Sequence, residues 1–307
     1  MSKAAALRPG PPSLPEWVRR LPEYLMIWVP LLLSAAHLVS FSLWTIWISF
    51  TPSTLVPVTG WVGLRNYSAV AASRNWQIAF DNLLLFGCAF VVLSAATGLI
   101  LAILLDQRIR GENVLRSIFL YPLAVSFVVT GTVWSWLLNP GLGIQKLVHD
   151  LGWTTFRFDW LIDRDMAIWT IVIAAIWQSS GFAMALFLAG LRSVDADIIK
   201  AAQIDGAGPV RIYRRIILPS LWPITITVVV IQLQFAISTF DLVRALTNGG
   251  PGIATQLPAL VVYDLMFQRS LLGRGAAAAV LMLLILLAVL LPYAAWRYIQ
   301  RRRAAHA

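Results

Sequence analysis

Residues 82–105 read NLLLFGCAFVVLSAATGLILAILL, twenty-four positions without Asp, Glu, Lys or Arg between Asp81 and Asp106. A helix needs ~20 predominantly apolar residues to cross the hydrocarbon core of a bilayer, so this run is long enough to span one. Five further stretches are also free of charge: 24–64, 117–145, 166–191, 216–240 and 275–296. Backbone polar groups in lipid must be satisfied internally, which a helix does within its own segment. The reading is an all-α membrane protein of six transmembrane helices, with spans at about 25–50, 82–105, 115–138, 166–191, 220–243 and 275–297.

Composition agrees. The 307 residues are 59% apolar and only 12% charged, against about a quarter charged in a soluble domain. A seventh uncharged run, 245–263, holds Asn248-Gly249-Gly250-Pro251-Gly252 and Pro258. That is turn chemistry, so it is predicted as an exposed loop rather than a span, lying outside the bilayer or covered by protein. The outer segments have room for small surface helices, one within 52–70 and one within 143–153.

Charge sets the orientation. With the N-terminus in the cytosol, the inner segments hold sixteen Lys and Arg and the outer segments eight. Basic residues favour the cytoplasmic side, so both termini are predicted there. Residues 1–22 read as a disordered cytosolic tail with Lys3, Arg8 and four early prolines, and 299–307 as a second cytosolic tail. Trp44, Trp47, Trp134, Trp136, Trp169 and Trp296 fall near span ends, where an amphipathic ring suits the headgroup layer.

One inner segment stands apart. KAAQIDGAGPVRIYRRIILP, Lys200–Pro219, is basic and broken by turn residues between two apolar spans. Asp195 or Asp197 suits an N-cap for a helix running through Ile204. Gly206 permits a turn that other residues resist. Pro209 fits the first position of a second helix, which places Val210, Tyr213 and Ile217 on one stripe and ends at Pro219. The product is a helix–turn–helix elbow between the fourth and fifth spans, predicted for residues 193–219, whose small residues admit a partner's surface.

This segment resembles the EAA loop of membrane subunits in binding-protein-dependent ABC importers. Ala201, Ala202, Asp205, Gly206, Ala207, Ile216, Leu218 and Pro219 match its pattern, nine positions separate Gly206 from Ile216, and Tyr213 stands at a usual aromatic position. Stretches 80–143 and 240–267 are similar to the maltose-type carbohydrate permeases, with closest likeness to those for glucose, mannose or glucosides. The resemblance implies a multi-pass permease of the bacterial cytoplasmic membrane, paired with a second permease. It also implies two cytosolic ATP-binding subunits and a periplasmic or extracytoplasmic solute-binding protein that delivers sugar. Closure of the ATPases would push on the elbows. ATP and Mg2+ would act in those partners, and no G-x-x-x-x-G-K-[ST] motif occurs here. One position departs from the pattern: Lys200 replaces the usual acid. Its contact is expected to shift to Asp197 or Asp205, or to be compensated on the ATPase, and reversal to Glu is expected to alter coupling.

Polar residues inside spans face the bundle interior. Gln178, Gln232, Gln234, Ser238 and Asp241 are therefore the candidates for the sugar path, beside Trp177, Phe235 and Phe240, with interhelical hydrogen bonding as the competing role. No span carries a buried ion-coupling acid or base, which argues against a secondary transporter or channel. An intramembrane enzyme would need a nucleophile–base pair or metal set, and none is visible. His37, His149 and His306 are too scattered for a metal site. Cys88 has no intrachain partner. Asp159, Asp163 and Asp165 solvate an outer surface or meet the binding protein. No nucleic-acid role is expected.

Overall fold

The computed structural model describes residues 16–107 and 110–305, and the readings on residues 1–15, Arg108 and His306 lie outside them. Every regular element among the described residues is helical. The chain forms two compact units that divide between Trp47 and Ile48.

The first unit contains most of α1 (Glu16–Ser49), of which Tyr24–Ser49 is long and apolar enough to cross a membrane. The helix begins at Glu16, inside the stretch expected to be a disordered tail. Residues 16–21 are mostly good helix formers between two prolines, which accounts for the earlier start.

The second unit is built around two helices, α3 (Arg74–Leu105) and α7 (Ala167–Leu191). Both pass the length and hydropathy test for a span, as does Leu272–Trp296 within α14 (Leu272–Ala305). In α7, 67% of the apolar window is buried, against 33% in α3 and 28% in α14, so α7 is the central post. Its sequence is apolar all round, as a helix with neighbours on every side requires. Phe86 and Phe90 of α3 stack at 5.5 Å in a core with Ile171, Leu242 and Leu257. Toward the other end, Ala102 and Leu105 pack with Met184, Phe187 and Leu188. Gly98 is what lets α3 and α7 meet. A Cβ there would lie 2.5 Å from the Ala183 Cβ and 2.8 Å from the Met184 nitrogen. Small residues at such crossings allow close backbone approach in membranes, where no hydrophobic effect drives helices together.

The other two expected spans are broken. In place of one helix over 115–138, α4 (Glu112–Ala124) and α5 (Phe127–Leu137) meet at 97°. Pro122 lacks an N–H in the last turn of α4, and Val125 is extended. Ser126 then restarts the helix as its N-cap, accepting from the Val129 N–H at 3.2 Å. At the start of the fifth span, the elbow's second arm, Pro209–Ser220, meets α11 (Trp222–Ser238) at 62°. Pro219 and Pro223, one turn apart, each remove an intrahelical donor on either side of the bend and explain this kink. Four helices long and apolar enough to span, or six when each bent pair is one span, are thus present among the described residues.

Two small helices lie where the sequence left room: α2 (Arg65–Ala71) and α6 (Ile144–Asp150). The run 245–263 is covered by protein rather than exposed, the second of the two expected alternatives. It connects α12 (Asp241–Leu246) to α13 (Pro258–Tyr263), and its Thr255, Gln256 and Leu257 are buried. Asn82 of α3 donates through Nδ2 to the Ala254 and Gln256 carbonyls at 2.9 and 3.0 Å. Thr255 donates to the Gly250 carbonyl at 2.7 Å. The turn chemistry was legible, but its backbone groups are satisfied by protein rather than by water.

Candidate functional site

The segment after α7 folds into two short arms. Asp195 caps α8 (Ala196–Ile204), accepting from the Asp197 N–H at 2.9 Å. The helix ends in a Schellman motif: Gly206 N–H bonds the Gln203 carbonyl at 3.0 Å and Ala207 N–H the Ala202 carbonyl at 2.9 Å. Gly206 holds φ +77°, the left-handed conformation that motif demands. Gly208 is the next N-cap and Pro209 opens α9 (Pro209–Ile212), as the spacing predicts.

Beyond α9 the course departs from expectation. A π turn over Tyr213–Ile217 leads without interruption into α10 (Leu218–Ser220), so Pro219 lies inside a helical run and does not end it. The wider turn brings residues five apart onto one face. Ile212 and Ile217 are therefore the buried pair, while Val210, expected on that stripe, is 81% exposed.

The elbow thus has two faces. Toward the bundle, Ile199, Ala202, Ala207, Tyr213 and Ile216 pack on the cluster of Leu105, Phe187 and Leu191. Away from it, Lys200, Ala201, Asp205, Gly206, Leu218 and Pro219 are exposed. Three apolar side chains, Ile198, Ile204 and Val210, share that exposure, with Ile204 at 86%. The motif does not name them; the signal that finds them is an apolar residue in each short polar stretch of an otherwise solvated arm. Lys200 pairs with Asp197 at 2.9 Å, an exposed pair within one turn. Such pairs contribute about 0–1 kcal/mol.

Polar contacts tie the elbow to the helix ends beside it. Gln107, just past α3, donates to the Tyr213 hydroxyl at 3.3 Å. Burial, reinforced by the Asp106 carboxylate, pushes the Tyr213 phenol above its ordinary value. Arg192 at the end of α7 reaches Glu112 at 2.5 Å and Asp106 at 3.8 Å. None of these supporting contacts follows from sequence spacing, because each joins residues far apart in the chain.

The five polar candidates for the path fall into two groups. Gln178 and Gln232 are sealed inside the unit, 1% and 0% exposed. Gln178 Nε2 donates to the Val125 carbonyl at 2.7 Å, the group freed where α4 breaks. Gln232 Nε2 donates to Ser94 Oγ at 2.5 Å. Gln234, Ser238 and Asp241 are exposed. Ser238 and Asp241 line a cavity of about 200 Å³ with Phe127, Phe235, Thr239 and Phe240. Aromatic faces beside a hydroxyl and a carboxylate are the chemistry that holds a polyhydroxylated ring. Among the described residues no group of His, Cys, Asp and Glu is arranged to hold a metal.

Gln178 therefore reads as a brace for the broken helix. Replacing it with Met keeps the volume and leaves the Val125 carbonyl unpaired, which costs about 1–3 kcal/mol. The expected result is a lower thermal midpoint of the purified transporter with the substrate concentration for half-maximal uptake unchanged. A shift in that concentration alone would move Gln178 into the substrate path.

Long apolar helices, two sharply bent helix pairs and a capped elbow define a polytopic all-helical membrane protein. The chain belongs to the binding-protein-dependent transport system inner membrane component family, whose profile matches residues 94–305. It is 38% identical to a probable ABC transporter permease of Pyrococcus horikoshii, over 91% of this chain and 96% of that one. It is 32% identical to the trehalose/maltose transport system permease MalF of Thermococcus litoralis, over 88% of this chain and 91% of that protein. Its fold matches a chain of a bacterial ABC transporter that imports the acidic polysaccharide alginate, with a TM-score of 0.79 at 19% identity over 94% of this chain and 97% of that one. The protein is a multi-pass, non-catalytic permease subunit of a binding-protein-dependent ABC importer. Such a system includes ATP-hydrolysing and solute-binding partners.

Proposed function

We propose that this chain is one of two permease subunits of an ATP-driven sugar importer in the cytoplasmic membrane. Both termini and the elbow, residues 193–219, lie in the cytosol. The elbow receives the stroke of an ATPase subunit, where ATP and Mg2+ act, and the opposite end meets the solute-binding protein. The observation that carries this reading is the two-faced elbow. One face is anchored in the bundle through Ile212, Ile217 and Tyr213, and the other offers Ile198, Ile204 and Val210 to a partner. Exposed apolar side chains on a rigidly capped turn are suited to docking.

Sugar follows the exposed side of α11, along Gln234, Ser238 and Asp241, with Phe235 and Phe240 as the apolar platform. Gln178 and Gln232 support that wall from behind. The sugar relatives and the aromatic lining favour a neutral sugar, with glucose, mannose and glucosides the first to test.

Topology supplies the direct test. With the native Cys88 removed, a cysteine at Ala201 is expected to react with an impermeant thiol reagent only from the cytosolic side, in inverted vesicles and not in intact cells. Reaction from the outside would overturn the elbow's role. The substrate class is tested separately by thermal shift of the cognate solute-binding protein against monosaccharides and glucosides. Lys200→Glu repels Asp197 and restores the motif's acid, and it is expected to change binding-protein-stimulated ATP hydrolysis. An unchanged rate would remove position 200 from coupling.

A further inference from the structure

At the far end of α3 and α14 from the elbow lies a basic cavity, apart from the proposed path along α11. Arg74, Arg269 and Arg274 line it with Asn75, Asp264 and Leu271, around a volume of about 210 Å³. An adjoining cavity of about 150 Å³ shares Leu271 and Arg274 and adds Arg65. Four arginines thus face one carboxylate, because Asp264 is the only acid in either lining. Asp264 is already engaged, accepting from Gln256 Nε2 at 3.1 Å. None of the four arginines has an ion-pair partner among the described residues.

The depth of the cavity is set by the helices beneath it. Arg274 immediately precedes the charge-free run 275–296, and the candidate span of α14 starts at Leu272. Arg274 therefore stands where hydrocarbon gives way to headgroups. The remaining walls include Val70, Val261 and Leu265, apolar side chains that suit a glycerol backbone. The N-terminal ends of α3 and α14 add their positive potential. Guanidinium forks match the geometry of phosphate oxygens, and uncompensated arginines attract anionic lipid.

We infer that this cavity binds the phosphodiester headgroup of an anionic phospholipid, with Arg274 shared between the two compartments and Arg269 closing over the phosphate. This inference does not depend on the sugar assignment. Free phosphate has the same chemistry, and acidic side chains of the solute-binding protein are the rival occupant.

The test uses the assembled transporter in nanodiscs of phosphatidylcholine containing a minor fraction of phosphatidylglycerol. Lipid retained per complex is counted by native mass spectrometry for wild type, Arg274→Gln and Arg269→Gln. Phosphatidylglycerol retention is expected to fall about five-fold for each variant, the value of one arginine near an anionic surface. Phosphatidylcholine retention stays constant, and inorganic phosphate fails to displace the lipid. Arg269 is exposed at the end of a turn, so its variant reports even where Arg274→Gln does not assemble. Equal phosphatidylglycerol retention in Arg269→Gln and wild type would overturn the inference. Displacement by inorganic phosphate would reassign the site to the free ion. Loss of binding-protein-stimulated ATPase activity with lipid retention unchanged would give the arginines to the protein partner. Either result rejects the headgroup.

Discussion

Gly206→Val is expected to cut ATP-coupled uptake about ten-fold or more while leaving the permease in the membrane. Gly206 sits at φ +77° with open space around its Cα, so the penalty comes from the backbone and not from a clash. An L-residue in the left-handed region costs roughly 1–2 kcal/mol, and a β-branched one more. The chain escapes by unwinding the turn, which breaks the bonds from Gly206 to Gln203 and from Ala207 to Ala202. The two arms then lose their fixed angle, and Ile198 and Ile204 on one arm no longer keep their placement relative to Val210 on the other. Gly208→Ala is the control, because Gly208 is extended at φ −70° with nothing within 4 Å of an added Cβ. Uptake and ATPase stimulation are measured in proteoliposomes. Equal activity of Gly206→Val and Gly208→Ala would show that the turn geometry is not what the partner grips.

Gly98→Ala should destabilise the unit through a single added methyl group. The new Cβ meets the Ala183 Cβ at 2.5 Å and the Met184 backbone nitrogen at 2.8 Å. Both belong to α7, the most buried span, so neither can retreat without moving the post of the unit. Overpacking of this kind costs about 1–3 kcal/mol. Gly87→Ala on the same helix is the matched comparison, since its nearest contact is the Ala236 Cβ at 3.9 Å, ordinary van der Waals separation. The expected readout is a lower thermal midpoint and reduced yield of the assembled complex for Gly98→Ala, with Gly87→Ala near wild type. Matching midpoints would mean that α3 and α7 are free to separate.

These two glycines mark how differently the sequence speaks at different places. Gly206 could be read in advance, because its constraint is local: three neighbouring residues and one dihedral angle decide it. Gly98 could not, because its constraint comes from Ala183, eighty-five positions away in the chain. The same division separates the two groups of polar path candidates. A glutamine in a charge-free run announces that it needs a partner. The sequence does not say whether that partner is a carbonyl, as for Gln178, or a passing solute, as proposed for Gln234. The π turn escaped as well: one extra residue per turn moved Val210 off the anchored face and put Ile212 on it, and a period of 3.6 applied to YRRII cannot show that.

What the sequence determined by itself was the solvent and the local joints. Long stretches without charge require lipid and helices, since only these satisfy the backbone there. Asp195, Gly206 and Pro209 specify the elbow's cap, turn and restart through bonds that span a few residues. What the tertiary structure alone decided was which faces are inside. It bent the third and fifth spans at sites that proline permits but does not compel, with the Gln178 side chain receiving the freed Val125 carbonyl. It also decided between the two places open to the loop 245–263, covering Thr255, Gln256 and Leu257 with protein. The physical reason is range: hydration and dihedral preference act on a residue and its neighbours. Burial and hydrogen-bond satisfaction between helices depend on partners that the chain supplies only once it has folded.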